Sequence, residues 1–180
     1  MNVLVLVSGG LDSAACLQYY LAHDQDVEAL HVSYGQMAEE REALAASAVC
    51  KFYGVPLVHT WLKNVVAGHG EIAGRNALLL SIALLRLGSG ATSIVGIGIH
   101  AGTTYADCSP AFVATTQRLF DLYSGGRIVI DAPFVAWSKK DIYQFMGDSS
   151  VVELTYSCEL GASQPCGQCR SCHDVRRLTC

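Results

Sequence analysis

The feature that most limits how this chain can fold is the regular alternation of short apolar runs with helical segments. The first run, residues 2–7, is rich in valine and leucine, as is typical of a strand buried inside a parallel sheet. The same reading predicts strands at residues 27–32, 56–61, 92–98 and 127–130, and helices at residues 12–22, 39–52, 76–87, 110–123 and 138–146. This alternation predicts an α/β fold: a doubly wound five-stranded parallel sheet with helices on both faces.

Local signals support several of these boundaries. Acidic residues begin the segment 39–52, where the helix dipole favours them, and Gly54 follows as a C-terminal stop. Ser138 with Asp141 three positions later predicts an N-cap with an acidic capping box. The helix at 76–87 is almost wholly apolar, so we expect it to be buried. Residues 63–74 hold three glycines without a clear period and are predicted to form a loop.

Composition narrows the function classes. The chain has 180 residues, which predicts a single domain, 1–180, and its 51% hydrophobic content excludes a disordered chain. A net charge of −4 argues against a protein that wraps nucleic acid, since such proteins are usually basic, and favours a small-molecule ligand. No run approaches the roughly 20 apolar residues that span a bilayer, and no secretory signal is visible, so we expect a cytoplasmic protein. The apolar content suggests a partner subunit, although buried parallel strands also raise it.

A glycine loop follows the first predicted strand. Residues 8–13 read S-G-G-L-D-S, and the glycines allow the backbone to approach an anion while the next helix directs its free N–H groups toward it. Ser8 and Ser13 add hydroxyl donors, and Asp12 is placed to accept hydrogen bonds from loop amides. The loop therefore predicts a phosphate site, with a tight strand-to-helix turn as the alternative.

Four cysteines are spaced as metal ligands near the C-terminus. Cys158, Cys166, Cys169 and Cys172 form C-x7-C-x2-C-x2-C, and four thiolates suit a tetrahedral Zn²⁺ of structural type. The predicted zinc-binding segment is 155–176, and a disulfide pair or an iron–sulfur cluster is the alternative. Cys16 and Cys50 lie in helical patterns and are expected in the core.

The histidines form no catalytic constellation by spacing. His31 is expected at a strand edge, His59 and His100 near strand ends, His69 on the loop, and His173 beside the cysteines.

The S-G-G-x-D-S string resembles the pyrophosphate loop of the N-type ATP pyrophosphatases, which have an adenine nucleotide alpha hydrolase-like fold. That family cleaves ATP between the α and β phosphates and leaves adenylate on a substrate oxygen. The resemblance implies that ATP and Mg²⁺ bind at Val7, Ser8, Gly9, Gly10, Leu11, Asp12 and Ser13, with Tyr34 and Gln36 lining the nucleotide pocket.

Further strings are similar to one branch of that group. They are H-V-S-Y-G-Q at 31–36, G-R-N at 74–76, Y-A-D-C-S-P at 105–110, S-K at 138–139, T-Y-S-C at 155–158 and C-G-Q-C-R-S-C at 166–172. In this order and over essentially the whole chain, they resemble the 7-cyano-7-deazaguanine synthase family, QueC.

This resemblance implies an ATP-dependent ligase. The family adenylates 7-carboxy-7-deazaguanine, converts it with ammonia to the amide, and uses a second ATP to form the nitrile. Asp12, Arg75 and Lys139 become catalytic candidates, and Arg75, Asn76, Tyr105 and Asp107 become substrate-binding candidates. The alternative for Arg75 and Lys139 is a solvated cation at the start of a helix. The alternative for Asp107 is a turn residue in a loop. A homodimer is also implied.

The chain departs from the family pattern at several positions. It is shorter between Trp61 and Arg75, and alanines 73 and 106 stand where the family has proline. Met37 follows Y-G-Q, and an acidic residue expected upstream of Tyr105 is absent. These changes motivate an alternative: a QueC-like enzyme that transfers the activated acid to an amine of a protein or nucleic acid. A zinc-bearing binding module on an inactive nucleotide fold, and a tRNA-thiolating relative, are less favoured.

Overall fold

Five parallel strands form the centre of the molecule. The computed structural model describes residues 2–23, 25–65, 70–88, 92–147 and 150–179. The strands are β1 (Asn2–Leu6), β2 (Asp26–Ser33), β3 (Leu57–Trp61), β4 (Ser93–Ile97) and β5 (Ile128–Asp131). They lie in the order β3-β2-β1-β4-β5, and each neighbouring pair is parallel. The predicted five-stranded parallel sheet is therefore confirmed.

Helices cover both faces of this sheet. The described residues form α1 (Leu11–Leu21), α2 (Glu39–Tyr53), α3 (Arg75–Leu87), α4 (Pro110–Ser124), α5 (Lys139–Met146) and α6 (Arg170–Thr179), with short 3-10 helices at Ala106–Cys108 and Ser150–Leu154. Side chains alternate along each strand, so Val3 and Val5 pack with α1, α2 and α5, while Leu4 and Leu6 pack with α3 and α4 on the other face. The doubly wound arrangement is confirmed. No helix in the described part of the chain has both the length and the apolar character that a membrane span needs.

The predicted helix-end signals have the expected geometry. The side chain of Ser138 accepts a hydrogen bond from the backbone N–H of Asp141, whose carboxylate accepts one from the backbone N–H of Ser138. This reciprocal pair is the predicted capping box at the start of α5. Gly54 ends α2 in the left-handed region, with φ of 68°.

The expectation that α3 is buried is wrong. Only Asn76, Leu80 and Ala83 of this helix are buried, whereas Leu85 is 78% exposed. Because α3 lies in an outer layer, one stripe of its surface packs on the sheet, and no further layer of the described residues covers the opposite stripe. In the predicted loop, residues 63–65 and 70–74 lie outside helices and strands, and residues 66–69, including His69, lie outside the described residues.

The strand order creates a crevice between β1 and β4. After β1 the chain enters α1 on one face of the sheet, and after β4 it continues toward α4 on the other face. The two connections therefore diverge at the carboxyl ends of adjacent strands. This switch point is where doubly wound sheets bind ligands.

Gly98 packs closely against the start of α1 in this crevice. A β-carbon there would lie 2.5 Å from the backbone carbonyl oxygen of Asp12 and 3.2 Å from the backbone nitrogen of Ser13. We predict that Gly98→Ala lowers the free energy of unfolding by about 1–3 kcal/mol, because the start of α1 must shift. Chemical denaturation measures this loss. Gly10→Ala is the control, since its β-carbon would have its nearest contacts at 3.5 and 3.6 Å, and an equal loss in both variants would contradict the packing argument.

Candidate active site

A cavity of about 260 Å³ opens at the carboxyl ends of β1, β2 and β4. It brings together most of the residues that the sequence nominated: Val7, Ser8, Gly10, Leu11, Asp12, Ser13, Tyr34, Gln36, Arg75, Asn76, Tyr105 and Lys139. Gly9 and Asp107 are not among the residues that line it. The separate motifs thus meet at one site, at the switch point of the sheet.

The loop at residues 8–13 presents its donors to the cavity. Gly10 is the N-cap of α1, and no side chain caps this helix end. The Ser13 hydroxyl donates to the carbonyl of Gly10 at 2.9 Å, and the Ser8 hydroxyl lies 3.3 Å from that of Ser13. An uncapped helix start with two adjacent hydroxyl groups is suited to an anion.

Gly9 shapes the back of this loop. Its φ is 87°, and a β-carbon would lie 2.5 Å from the carbonyl oxygen of Glu42 and 2.7 Å from the backbone nitrogen of Ala46. Its own carbonyl accepts a hydrogen bond of 2.9 Å from the backbone N–H of Tyr156. Only glycine suits both this conformation and the close approach of α2.

Lys139 and Asp12 form a direct ion pair in the lining of the cavity. The ammonium group of Lys139 lies 2.5 Å from each carboxylate oxygen of Asp12, and it comes from the start of α5, 127 residues further along the chain. Both residues were nominated as catalytic candidates. Their direct pairing places one cation beside the phosphate-type loop.

His100 is a site residue that the spacing of the histidines did not identify. Its Nε2 lies 3.7 Å from a carboxylate oxygen of Asp12, and its Nδ1 accepts a hydrogen bond of 3.0 Å from the backbone N–H of Gly102. Burial lowers the pKa of His100, although the charge of Asp12 opposes this, so the neutral ring carries its proton on Nε2. The sequence signal that could have identified His100 as a site residue is its position just beyond the carboxyl end of β4, where such sheets bind ligands.

The expectation that His31 lies at a strand edge is wrong. β2 is an interior strand, and the His31 side chain is 1% exposed with Nδ1 at 2.7 Å from the carbonyl oxygen of Val7. Burial lowers the pKa of His31, so this ring is neutral near pH 7.

Polar side chains from the β2–α2 connection form one wall of the cavity. The amide of Gln36 accepts from the backbone N–H of Tyr34 at 2.8 Å and donates to the carboxylate of Glu42 at 2.9 Å. Burial raises the pKa of Glu42, while Gln36 and the nearby charge of Arg75 oppose that rise. Glu42 was missed because an acid in the first turn of a helix reads as a solvated residue.

Asp107 lies behind the substrate-side wall. Its carboxylate accepts a hydrogen bond of 3.2 Å from the backbone N–H of Asn76, and the Asn76 amide donates to the Asp107 carbonyl at 3.0 Å. The pair joins the start of α3 to the segment after β4. Asp107 therefore makes a structural contact between two segments that are 31 residues apart in the chain.

The four predicted cysteines come together. The sulfur atoms of Cys158, Cys166, Cys169 and Cys172 all lie within 4.8 Å of one another. Those of Cys166 and Cys172 are 3.9 Å apart, close to the separation of about 3.8 Å for tetrahedral Zn–S bonds of about 2.3 Å. In an iron–sulfur cube each thiolate binds a different iron, which holds the sulfurs farther apart. This spacing therefore fits a single ion.

Backbone N–H groups stabilise the thiolates of this cluster. The N–H groups of Gln168 and Cys169 donate to the sulfur of Cys166 at 3.4 and 3.3 Å. Burial raises the pKa of Cys158, but hydrogen bonds from the backbone N–H groups of Cys166 and Leu160 outweigh it and lower the value to about 6. Burial and the neighbouring cysteines instead raise the pKa of Cys172, so the backbone hydrogen bonds favour the deprotonated, metal-binding form at Cys158 and Cys166.

The cysteine segment also folds back onto the cavity. Four of its residues line the cavity: Tyr156, Glu159, Arg170 and Asp174. The last two belong to α6, a helix that the sequence analysis did not predict. The helix begins between the third and fourth cysteines, where spacing indicated only ligands. Its N-terminal turn is fixed by Glu159, which accepts from the backbone N–H and the hydroxyl of Ser171 at 3.1 and 2.8 Å.

We predict one tightly bound metal ion per chain, because four mutually close sulfurs complete a tetrahedral shell. Elemental analysis of the purified protein measures the ratio. Cys169→Ser should lose the ion, whereas Cys50→Ala, which changes a buried cysteine of α2, should retain it. Four irons per chain with matching sulfide would contradict the single-ion geometry.

Sequence comparisons identify the family. The family model described as "Queuosine biosynthesis protein QueC" matches residues 2–69 and 63–178, two stretches that meet within the loop 63–74. The 7-cyano-7-deazaguanine synthases of Methanoculleus marisnigri and Aquifex aeolicus are 35% and 32% identical to this chain over 203 residues, and the alignments cover 96% and 95% of it and 90% and 93% of the relatives. Because these alignments are longer than the chain, part of them faces gaps in this chain.

Solved structures agree in fold. A predicted subunit of a tRNA methyltransferase from Methanocaldococcus jannaschii matches with a TM-score of 0.54 and 14% identity over 80% of this chain and 73% of its own. The U34-tRNA thiolase NcsA of Methanococcus maripaludis, solved with its [4Fe-4S] cluster, matches with a TM-score of 0.53 and 13% identity over 99% of this chain and 65% of its own. The family match and the curated relatives cover nearly the whole chain, so this protein belongs to the QueC family of queuosine biosynthesis proteins.

Proposed function

We propose that this chain is an ATP-dependent ligase that converts 7-carboxy-7-deazaguanine, through its amide, to 7-cyano-7-deazaguanine. The observation that carries the proposal is the meeting of the loop 8–13, Lys139 and the family motifs around Arg75 and Tyr105 in one cavity. The curated relatives bear the name of this synthase.

The loop is proposed to hold the phosphates of ATP. The free N–H groups at the start of α1 and the hydroxyl groups of Ser8 and Ser13 supply donors, and Lys139 neutralises phosphate charge. Mg²⁺ prefers oxygen ligands, and the carboxylate of Asp12 is the acid beside this loop that would hold it, together with phosphate oxygens. Bound Mg²⁺ would withdraw charge from the phosphates and ease departure of pyrophosphate.

The first half of the reaction makes an amide. A carboxylate oxygen attacks the α-phosphorus of ATP, the bond to the β-phosphate oxygen breaks, and pyrophosphate leaves. Ammonia then attacks the acyl carbon, AMP departs with the oxygen it gained, and the nitrogen loses a proton. Activation is needed because a carboxylate is a poor electrophile, and the protein contributes positioning and charge stabilisation.

The second half repeats this activation on the amide. The amide oxygen attacks the α-phosphorus of a second ATP, pyrophosphate leaves and a proton is lost from nitrogen. Loss of AMP and of the second N–H proton leaves the nitrile. The same cavity would serve both steps, because each joins a carbonyl-type oxygen to the α-phosphorus of an ATP molecule.

Three residues are proposed to bind the deazaguanine substrate, each in a different way. Tyr105 offers an aromatic surface in the cavity, and Arg75 a positive charge. Asp107 would accept hydrogen bonds from the amino-pyrimidine edge through the lone pairs of its carboxylate that the backbone N–H of Asn76 does not use. This role requires the ligand to reach past the residues that line the cavity, because Asp107 is not one of them.

We propose Zn²⁺ as the ion of the cysteine cluster, in a structural role. Four thiolates leave no open coordination position for a reacting group. Under the same proposal the enzyme acts in the cytoplasm as a homodimer, whose second copy would cover the exposed apolar surface around Leu85 and Leu122.

One observation favours the second candidate, transfer of the activated acid to an amine of a protein or nucleic acid. The two stretches of the family match overlap at residues 63–69, within the loop 63–74, and the sequence is shorter than the family pattern between Trp61 and Arg75. We propose that a shorter loop gives a large acceptor access to the cavity, which the loop residue Gly70 lines.

Mass spectrometry of the protein with 7-carboxy-7-deazaguanine, ATP, Mg²⁺ and ammonium separates the candidates. The proposed synthase gives the nitrile and AMP. Pyrophosphate release that stops at the bound adenylate, or AMP release that stops at the amide, favours a different acceptor, and absence of both pyrophosphate and AMP contradicts both candidates.

We predict that Lys139→Ala lowers kcat/KM by about 10²–10³-fold, because a charge that stabilises the transferring phosphoryl group is lost. Lys139→Arg should restore part of the rate. Lys140→Ala is the matched control, since Lys140 is the next residue of α5 but does not line the cavity. Steady-state kinetics of AMP release measure the effect, and equal rates for the alanine variants at 139 and 140 would exclude the proposed role.

A further inference from the structure

Arg170 lines the cavity, and although the residue is exposed, two contacts orient its cationic side chain. Its guanidinium carbon lies 5.1 Å from the centre of the Tyr105 ring, and one of its N–H groups donates to the carbonyl of Gly102 at 3.3 Å. The residue begins α6 and stands directly after Cys169 in the cysteine cluster. The metal-binding segment therefore delivers a positive charge to the substrate side of the cavity.

The charges of the cavity leave Arg170 without an ionic partner among the described residues. Lys139 is paired with Asp12, and Arg75 stabilises the charged form of Glu42. Arg170 forms no ion pair with a described carboxylate.

The nearest acidic groups along the segment do not change this. The carboxylate of Glu159 is engaged by the backbone N–H and hydroxyl of Ser171, and Asp174 one turn later makes no ion pair with Arg170. A guanidinium has five N–H donors, and Gly102 takes one of them. Several donors and a full positive charge therefore remain for a ligand.

We infer that Arg170 binds the carboxylate of the acid substrate, an inference that rests on the proposed function. A guanidinium matches a carboxylate through two parallel N–H···O bonds. The cation–π contact with Tyr105 and the hydrogen bond to Gly102 fix the guanidinium before the acid arrives, which reduces the entropy lost on binding. Because Cys169 and Cys172 stand on either side of Arg170 in the chain, a metal ion bound by the cluster would also help to position this residue.

The test is calorimetric binding to the metal-loaded, full-length protein with three probes: 7-carboxy-7-deazaguanine, the neutral 7-deazaguanine that lacks the carboxylate, and ATP. Arg170→Ala should raise the Kd for the acid by about ten-fold or more, since charged hydrogen bonds are lost. Its Kd for 7-deazaguanine and for ATP should change less than about two-fold. Arg170→Lys should give an intermediate value for the acid, because it keeps the charge without the planar fork.

Arg177→Ala is the matched control, since Arg177 is an exposed arginine of α6 that does not line the cavity. It should bind all three probes as the wild type does, with the same metal content. Equal acid affinity in Arg170→Ala and wild type would overturn the inference. So would a loss for the acid and 7-deazaguanine alike, which indicates a damaged wall, or a loss for ATP alone, which indicates a phosphate ligand. A wild type that binds ATP but not the acid overturns the proposed function as well, and it is recognised without any variant.

Discussion

The contact between Lys139 and Asp12 joins parts of the chain on which the whole site depends. Asp12 follows β1 and Lys139 begins α5, so the pair links the loop at the switch point to a helix 127 residues away. The Nε2 atom of His100, after β4, lies 3.7 Å from the same carboxylate. Three connections of the sheet thus converge on one acid. In the proposed ATP site, Lys139 neutralises Asp12 before the nucleotide binds. Mg²⁺ would replace Lys139 beside the Asp12 carboxylate, and Lys139 would then contact phosphate oxygens.

The C-terminal segment completes the cavity from the opposite side. The backbone N–H of Tyr156 holds the carbonyl of Gly9, and Cys158 lies only two residues beyond Tyr156. At the other end of the cluster, Arg170 reaches Tyr105 and Gly102. A metal ion that closes the cluster would therefore order both the loop 8–13 and the cavity wall around Tyr105. A structural metal can act on catalysis in this way without touching a reacting atom.

Sequence reasoning succeeded where local chemistry determines structure. Continuous apolar runs gave the strands, the Ser138–Asp141 pair set the start of α5, and the cysteine spacing located the cluster. It failed where the answer depends on a neighbouring layer or a distant segment. The composition of α3 could not reveal that one of its faces lacks a covering layer, as the exposure of Leu85 shows. His100 and Arg170 carry no local pattern, because their partners come from the ends of other strands and helices.

Isotope transfer tests the central claim, adenylation of a carboxylate at this site, most directly. The acid is labelled with ¹⁸O in both carboxylate oxygens and turned over with ATP, Mg²⁺ and ammonium, and the AMP is analysed by mass spectrometry. The mechanism predicts two AMP molecules per nitrile, each with one ¹⁸O in its phosphate, because each activated oxygen departs with AMP. Unlabelled AMP, or ADP and labelled inorganic phosphate in its place, would contradict the account.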